Sequence, residues 1–207
     1  MDKPIIMRDE PITRVLAYLS KKYPRCKATI QSSKQMSRFE AFKQSDWGKA
    51  GDCTITSIAS IFYNYLGKSK PFGEIYNIVE SKGYEWGYGD FGTHVYSMRT
   101  IMNKVAKELG LPQRTTVKYG KGVLWSFETI KKNLAGGKYT MLSFKDDGRD
   151  YYGAHSVTVV GYAQYNVKLE TGETKVEKFI AIKDNWSKDT RWLDYEMIDF
   201  VSAVHTY

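Results

Sequence analysis

Apolar residues recur at helical spacing through the first half of the chain. Within residues 9–23 they fall three or four positions apart: Ile12, Val15, Leu16 and Leu19. In the run CTITSIASIFYNYL they stand at offsets 0, 3, 4, 7, 10 and 11: Ile55, Ile58, Ala59, Phe62, Tyr65 and Leu66. This second pattern predicts a central helix that ends near Gly67. The runs FGEIYNIVESKGY and THVYSMRTIMNKVAKELGL predict two more helices, with stops at Gly83 and Gly110.

The pattern changes after residue 115, where β-branched and aromatic residues become frequent. TTVKYG and KYTMLSF predict strands, and the run SFETIKKNL between them predicts a short helix that ends at Gly136-Gly137. Two long β-rich runs on either side of Thr171-Gly172 predict a hairpin. RWLDYEMIDFVSAVHTY predicts a strand, a short helix and a last strand. A helical half followed by an antiparallel sheet is an α+β plan.

The segment between the first two predicted helices is polar and basic. Residues 24–50 therefore indicate an irregular connection, with a short strand at KATI at most. The 207 residues contain no internal repeat and no low-complexity linker, and this length suits one globular unit. We divide the unit into an N-terminal helix with a basic connecting arm, residues 1–43, and a main domain, residues 44–207.

The net charge of +8 is concentrated in the N-terminal quarter. Residues 1–50 hold 11 Lys or Arg against 5 Asp or Glu, a surplus of 6. Such an arm can contact an acidic partner, an anionic cell-wall polymer or nucleic acid, but a solvated face is the commoner reading. Because no zinc-knuckle, RNP-like or helix-turn-helix pattern accompanies the charge, we expect no nucleic-acid binding.

Long apolar segments are missing from the sequence. No run approaches the ~18 residues that a membrane span needs, which predicts a soluble protein. The opening MDKPIIMRDE has no basic flank followed by an apolar stretch, so it does not resemble a signal peptide. Cytoplasmic residence and secretion after processing both stay open, as does the oligomeric state.

Two cysteines, Cys26 and Cys53, are too few for a disulfide framework. Neither lies in a CxxC or in another pattern with metal-ligand spacing, so we expect no metal and no other cofactor. A single disulfide between them stays open, and a free buried thiol is the ordinary reading of each.

Cys53 stands where a helix is predicted to begin. The N–H groups and the dipole of a helix N-terminus stabilise a thiolate, and a neighbouring imidazolium lowers the thiol pKa further from its usual ~8.5. Gly51 permits a close approach to the helix, and Asp52 is a candidate N-cap. This position suits a nucleophile better than a core thiol.

A thiolate nucleophile needs a proton carrier, and the chain has three histidines. His94 follows a glycine-rich loop and His205 lies two residues from the end of the sequence, so both are interpreted as capping or surface residues. His155, in GAHSVTVVGY, precedes a predicted strand after two small residues that leave room for a substrate backbone. His155 is the candidate base.

The candidate third member comes from the returning strand of the hairpin. That strand ends FIAIKDNW and offers Asp184 and Asn185 to orient the imidazole. A two-residue turn at Thr171-Gly172 pairs residues whose numbers sum to 343, whereas His155 and Asp184 sum to 339. The even difference places both side chains on one face, and a bulge or a longer loop has to close the remaining gap of four residues.

The order Cys53, His155, Asp184, with a helix bearing the cysteine and a β half bearing the histidine, resembles the papain-like cysteine peptidases. IKDNW is similar to the papain pattern I-K-N-S-W, with Trp186 at the place of the shielding tryptophan. GDCTITSIASIFYNYL, GDFGTHVYSMRTIMNKVAKELG and RWLDYEMIDFV resemble the small bacterial branch of bacteriocin-processing double-glycine peptidases, which also use aspartate. The resemblance covers residues 44–204 and implies a papain-like fold acting on a peptide or protein substrate.

Two positions depart from the family pattern. Thr54-Ile55 follows the cysteine, where the family commonly has Gly-Pro or Gly-Ser. Trp47 occupies the place, six residues before the cysteine, of the glutamine that completes the oxyanion hole; the nearest glutamine, Gln44, is nine before. The resemblance then assigns the hole to Gln44 and the Cys53 N–H. An unfilled hole costs about 3–4 kcal/mol of transition-state stabilisation and indicates an impaired relative.

We therefore expect a cysteine peptidase in which Cys53 attacks, His155 transfers the proton and Asp184 orients His155, with Asn185 and Trp186 in support. An acyltransferase or transglutaminase-like enzyme with the same triad is one alternative, although those families generally place the histidine closer than the 102 residues found here. A catalytically inactive papain-like binding module is another. The simplest alternative is a buried thiol, a strand histidine and a turn cap with no shared role.

Overall fold

The computed structural model describes residues 7–8, 13–48, 51–90, 92–119, 123–144, 152–198 and 201–207. It shows an α+β protein, as the sequence predicts. Its α-helices are α1 (Thr13–Lys22), α2 (Cys53–Tyr65), α3 (Phe72–Trp86), α4 (Met98–Glu108) and α5 (Val123–Ala135). Its strands are β1 (Met7–Arg8), β2 (Lys27–Gln35), β3 (Tyr88–Gly89), β4 (Gly92–Thr93), β5 (Thr116–Tyr119), β6 (Thr140–Phe144), β7 (Ser156–Lys168), β8 (Thr174–Lys183), β9 (Arg191–Asp194) and β10 (Val201–Thr206).

Helix α2 is the centre of the helical half, as its periodicity predicts. Most of its apolar face is buried against α3 and α4 in one core cluster, with Tyr65 and Leu66 half-buried at its end, and its polar face is largely buried too. The residues of that polar face are Thr54, Thr56, Ser57, Ser60 and Asn64. A helix buried on most of its circumference is held between two layers, and here the second layer is the sheet.

The predicted stop at Gly83 is wrong, because α3 continues to Trp86. A Cβ at Gly83 would lie 2.8 Å from Ile55 Cδ1, so this glycine permits α3 to pack closely on α2. The helix ends instead at Gly87, whose φ of 109° is the left-handed conformation that favours glycine.

The other helices fall close to their predicted positions. Helix α4 ends at Glu108, two residues before Gly110, and α5 spans the predicted run with an earlier start at Val123. Helix α1 begins at Thr13 and includes Val15 and Leu19 of the predicted apolar face. Residues 9–12 of that prediction lie outside the described residues.

In the part of the chain that the structure describes, eight strands form one antiparallel sheet in the order β1-β9-β8-β7-β6-β10-β5, with β2 also paired to β7. The long strand β7 pairs with β6 over its first four residues and with β2 from Gly161 onward. A register shift between Val159 and Gly161 marks the change of partner. The bulge changes which side chains of β7 face inward. Before it the odd-numbered Val157 and Val159 face one core cluster, and after it the even-numbered Tyr162 faces the same cluster.

The β7–β8 hairpin is built as predicted, but its register is set by a longer loop and by the bulge. Lys168 pairs with Thr174, so the connection spans residues 169–173 instead of two residues. Beyond the bulge, Thr158 pairs with Lys183. The numbers of paired residues sum to 342 next to the loop and to 341 beyond the bulge, compared with 343 for the predicted two-residue turn. Loop and bulge together therefore close two of the four residues of offset between His155 and Asp184.

The N-terminal part of the chain adds strand β2 to the sheet and packs helix α1 on one of its faces. Strand β2 runs for nine residues along β7, where the sequence indicated an irregular connection with a short strand at most. Hydrogen bonds to β7 sustain this mostly exposed strand, which carries little apolar signal of its own. Val15 and Leu19 of α1 are buried in a cluster with Trp192 of β9. The division at residue 43 stays a prediction.

Within the described residues, no helix is both long enough and apolar enough to cross a membrane.

Candidate active site

Cys53 is the first residue of α2. The helix begins here because the Asp52 main-chain carbonyl accepts the first intrahelical hydrogen bond, from Thr56 N at 2.8 Å. Asp52 occupies the predicted N-cap position, but its side chain makes no capping hydrogen bond. Its fully buried carboxylate instead accepts hydrogen bonds from the hydroxyls of Tyr76 and Tyr88.

His155 immediately precedes β7 and is 6% exposed. The structure brings Cys53 and His155, 102 positions apart, close enough for each side chain to shift the pKa of the other. The Cys53 thiol itself hydrogen-bonds to Gly51 O at 3.9 Å. The imidazole stacks on Tyr152, with ring centroids 5.5 Å apart and planes at 6°, and its centroid lies 4.8 Å from the Trp186 ring. Trp186 is 40% exposed and covers part of the imidazole.

The orientation of the imidazole follows from its second hydrogen bond. His155 Nε2 lies 2.7 Å from the main-chain oxygen of Asp184. A carbonyl oxygen only accepts, so Nε2 carries the proton and donates it. Nδ1 is therefore the ring nitrogen left available to Cys53.

The carboxylate of Asp184 makes its hydrogen bonds and its ion pair with groups other than His155. Oδ1 accepts from the main-chain N–H of Trp186 at 3.1 Å and of Ser187 at 3.3 Å. Oδ2 lies 2.8 Å from Arg191 Nε, in an ion pair rather than an aligned hydrogen bond. Asp184 is thus at the predicted place beside the histidine, and the atom that contacts the imidazole is its main-chain oxygen.

Asn185 joins the helix that carries Cys53 to the strand that follows His155. Its Nδ2 donates to Cys53 O at 3.0 Å, to Ser57 Oγ at 2.8 Å and to Ser156 O at 3.0 Å. Its φ of 64° is left-handed, a conformation that asparagine tolerates better than most residues. Asn185 is 1% exposed, so this bridge lies in the interior between the two layers.

Gln44 contacts the main chain of Asn185. Its main-chain N–H donates to Asn185 O at 2.8 Å, which fixes the short 3₁₀ helix Gln44–Asp46 next to the start of α2. Its side-chain Oε1 is buried and makes no hydrogen bond to the described residues. Trp47 packs on Phe72 of α3, with ring centroids 5.0 Å apart.

The departure from the family pattern after the cysteine has a structural counterpart. Thr54 Oγ1 and Ser156 Oγ lie 2.9 Å apart, and Ser57 Oγ donates to Ser156 O at 3.2 Å. Both contacts join the first turn of α2 to the residue after His155. The threonine therefore contributes to holding the cysteine helix and the histidine strand together.

Electrostatics at this site favour charge separation between the two side chains. Burial raises the pKa of the Cys53 thiol, but the hydrogen bond and charge of His155, with the Ser156 N–H, bring that pKa below its ordinary value. Burial lowers the pKa of His155, yet the contacts with Cys53 and Asp184 bring it above its ordinary value. Opposite shifts of this kind favour a thiolate–imidazolium pair.

The other histidines and cysteine lie elsewhere. His94 is exposed, as expected. The surface placement predicted for His205 is wrong, because β10 carries this residue into the interior, where burial lowers its pKa to about 4. Cys26 and Cys53 are both free thiols, and Cys26 packs beside the α1 cluster.

Among the described residues, one cluster has the spacing of metal ligands: Glu177, Asp194 and Glu196. Lys22 Nζ lies 2.7, 2.9 and 3.6 Å from their oxygens. The lysine therefore already supplies a cation to these carboxylates.

Two residues at the site were not found from the sequence. Tyr152 follows a polar stretch of the sequence, and nothing in its local pattern marks a ring that stacks on His155. Arg191 begins β9 and resembles any charged residue at a strand end. Only the pairing of Arg191 with Ile182 across β8 and β9 brings its side chain next to Asp184.

No protein-family model matches this chain, and no curated protein matches it. The chemistry of the site therefore has to be inferred from its own residues.

Proposed function

We propose that this protein is a papain-like cysteine peptidase that hydrolyses a peptide bond through Cys53 and His155. The observation that carries the proposal is a thiol at a helix N-terminus close to an imidazole that donates from Nε2 to the main-chain oxygen of Asp184. A helical layer bearing the thiol, packed on an antiparallel sheet bearing the imidazole, agrees with a papain-like fold.

In the first half of the reaction, the Cys53 thiolate attacks the substrate carbonyl carbon. The carbonyl oxygen becomes negative, and the Cys53 N–H is a donor suited to it, because N–H groups of the first helical turn have no partner within the helix. The Gln44 side-chain amide is the second candidate donor. Its main chain is tied to Asn185, which in turn contacts Cys53.

In the second half, His155 gives its Nδ1 proton to the leaving amine and the peptide C–N bond breaks. The acyl group remains on sulfur as a thioester. Neutral His155 then takes a proton from water, the resulting hydroxide equivalent attacks the thioester, and Cys53 leaves as thiolate with the imidazolium restored. The bond from Nε2 to the Asp184 carbonyl keeps Nδ1 directed at the sulfur throughout.

The first test is the rate of Cys53 alkylation by a small electrophile as a function of pH. The pKa of Cys53 is depressed and that of His155 is raised, so the thiolate exists above the first value and is paired with imidazolium until the second. We expect labelling of Cys53 to persist well below pH 7. In His155→Ala it should be slow and should rise only near ~8.5, as for an ordinary thiol.

Two controls belong to this measurement. Cys26 lies outside the site and serves as an internal reference for thiol labelling in every variant. His94→Ala removes an exposed histidine and should leave the Cys53 profile unchanged. An identical Cys53 profile in parent and His155→Ala, rising near ~8.5 in both, would contradict the proposal and favour a non-catalytic binding module.

A positive result leads to a peptide-library search for the substrate. Hydrolysis of a library member that is lost in Cys53→Ala supports a peptidase. Transfer of the acyl group to an added amine, without hydrolysis, would instead identify an acyltransferase with the same residues.

A further inference from the structure

The acceptor that orients His155 is a main-chain atom, which raises the question of what holds that atom in place. The Asp184 oxygen lies 2.7 Å from Nε2, beyond the last residue of β8 and outside its ladder. A carbonyl past a strand end is fixed only as well as the turn that contains it. Whatever fixes this turn also orients His155, a role that rests on the proposed function.

The carboxylate of Asp184 fastens its own turn. It accepts the N–H groups of Trp186 and Ser187, two and three residues ahead, which is the local pattern of an aspartate-stabilised turn. Asn185, between Asp184 and Trp186, has a left-handed conformation that reverses the direction of the chain. The carboxylate therefore determines where the Asp184 carbonyl points.

Arg191 compensates the charge of that carboxylate from the neighbouring strand. Its Nε lies 2.8 Å from Asp184 Oδ2, and the two side chains are 10% and 0% exposed. Tyr152, which stacks on His155, also directs its hydroxyl to Oδ2, at 3.5 Å. A carboxylate without solvent contact stays ionised only with a paired cation and several hydrogen bonds, and Arg191 is that cation.

We propose that Arg191 is a positioning residue of the active site, and that Asp184 orients His155 through its main-chain carbonyl while its carboxylate, held by Arg191, fixes the turn. Removing Arg191 leaves the buried Asp184 carboxylate without a compensating cation. The turn then relaxes so that water or a proton reaches the carboxylate, and the Asp184 carbonyl moves away from Nε2.

A double-mutant cycle tests this assignment, with the rate of Cys53 alkylation at pH 6 as the readout. Arg191→Met keeps the aliphatic volume and removes the charge, and we expect it to lower the rate by about 10-fold or more, as loss of a supporting residue commonly does. Adding Asp184→Asn removes the stranded charge and keeps an oxygen for the two N–H groups of the turn. The double variant should therefore regain a large part of the rate lost in Arg191→Met.

The alternative, in which the carboxylate itself orients His155, gives the opposite result. There, Asp184→Asn removes the orienting group, and the double variant is slower than Arg191→Met alone. That outcome overturns the inference. Lys70→Met, which breaks an exposed ion pair with Glu74 on α3, is the matched control and should leave the rate unchanged.

Two further measurements keep folding and function apart from this question. Circular dichroism and Cys26 labelling report whether each variant is folded, and Arg191→Lys, which retains the charge, should recover part of the rate. In the parent protein, NMR detection of coupling across the hydrogen bond from His155 Nε2 distinguishes the Asp184 main-chain carbonyl from its side-chain carboxyl carbon. Coupling to the side-chain carbon overturns the inference.

The NMR result does not depend on thiol reactivity. A parent protein whose Cys53 behaves as an ordinary thiol contradicts the proposed function, whereas coupling to the main-chain carbonyl in the same protein would still support the Asp184 geometry. A reactive Cys53 combined with a double variant that is slower than Arg191→Met contradicts the inference alone.

Discussion

At the scale of single residues, Asn185 connects the parts of the candidate site. One amide group reaches the main chain of Cys53, the main chain of Ser156 and the hydroxyl of Ser57. These three acceptors belong to the cysteine helix and to the strand that follows His155. The distance between thiol and imidazole therefore depends on a residue that takes no part in the proposed proton transfer.

Replacing Asn185 separates its hydrogen bonds from its backbone conformation. Asn185→Gly keeps the left-handed φ accessible and removes the amide. We therefore expect the free energy of unfolding, measured in urea, to fall by about 1–3 kcal/mol. Asn185→Ala adds the strain of a Cβ at φ 64° and should cost about 1 kcal/mol more than glycine. Equal stabilities of the two variants would show that the turn has rearranged.

At the scale of elements, the site is formed where α2, β7 and the end of β8 meet. The N-terminus of α2 supplies the thiol, the start of β7 supplies the imidazole, and the turn after β8 supplies the acceptor. The bulge in β7 lets the strand exchange β6 for β2 as its neighbour without leaving β8. Close packing of α3 on α2 then fixes the cysteine helix from the other side.

The contact of α3 with α2 gives a prediction for Gly83. In an exposed helix, alanine in place of glycine adds about 1 kcal/mol of stability. At Gly83 the new Cβ would meet Ile55 Cδ1 at 2.8 Å and Tyr88 Cβ at 3.1 Å, and overpacking costs about 1–3 kcal/mol. We expect Gly83→Ala to destabilise the protein in thermal and urea unfolding.

The matched variant removes the atom that is in the way. Ile55→Val lacks Cδ1, so Gly83→Ala should destabilise the Ile55→Val protein less than it destabilises the parent. Additive effects of the two substitutions would mean that Ile55 is not the obstacle and that Tyr88 or the helix backbone is.

At the scale of the whole molecule, the N-terminal helix is attached to the face of the sheet by a buried charge cluster. Lys22 of α1 lies within 2.7 and 2.9 Å of Glu177 on β8 and Asp194 on β9, both 1% exposed. The hydroxyls of Tyr18 and Tyr23 donate to the same two carboxylates. This cluster joins α1 to β8, which ends just before Asp184, and to β9, which carries Arg191.

Removal of the lysine should leave two buried carboxylates without their cation. We expect Lys22→Met to lower the free energy of unfolding by about 3 kcal/mol in urea titrations at pH 7. Lys21→Met, at the exposed neighbouring position, should change it by less than about 0.5 kcal/mol. Comparable small effects of both substitutions would mean that the carboxylates are solvated or protonated in the native state.

The sequence by itself determined the central helix, the β7–β8 hairpin and the two residues that the structure brings together. Helical spacing identified α2, alternation and turn residues identified the β7–β8 hairpin, and the chemistry of a thiol at a helix start singled out Cys53. These inferences succeed because each depends on residues within a turn or two of one another, or on the distinctive chemistry of one residue type, the cysteine. His155 followed from its position at the start of a predicted strand.

Only the tertiary structure decided how the remaining groups pair. Asp184 directs its main-chain oxygen to the imidazole because Arg191, on another strand, attracts its carboxylate. Asp52 accepts from two distant tyrosines instead of capping α2, and His205 is buried by the strands on either side of β10. A polar side chain makes the hydrogen bonds that burial leaves available to it, and those partners are set by the packing of distant segments.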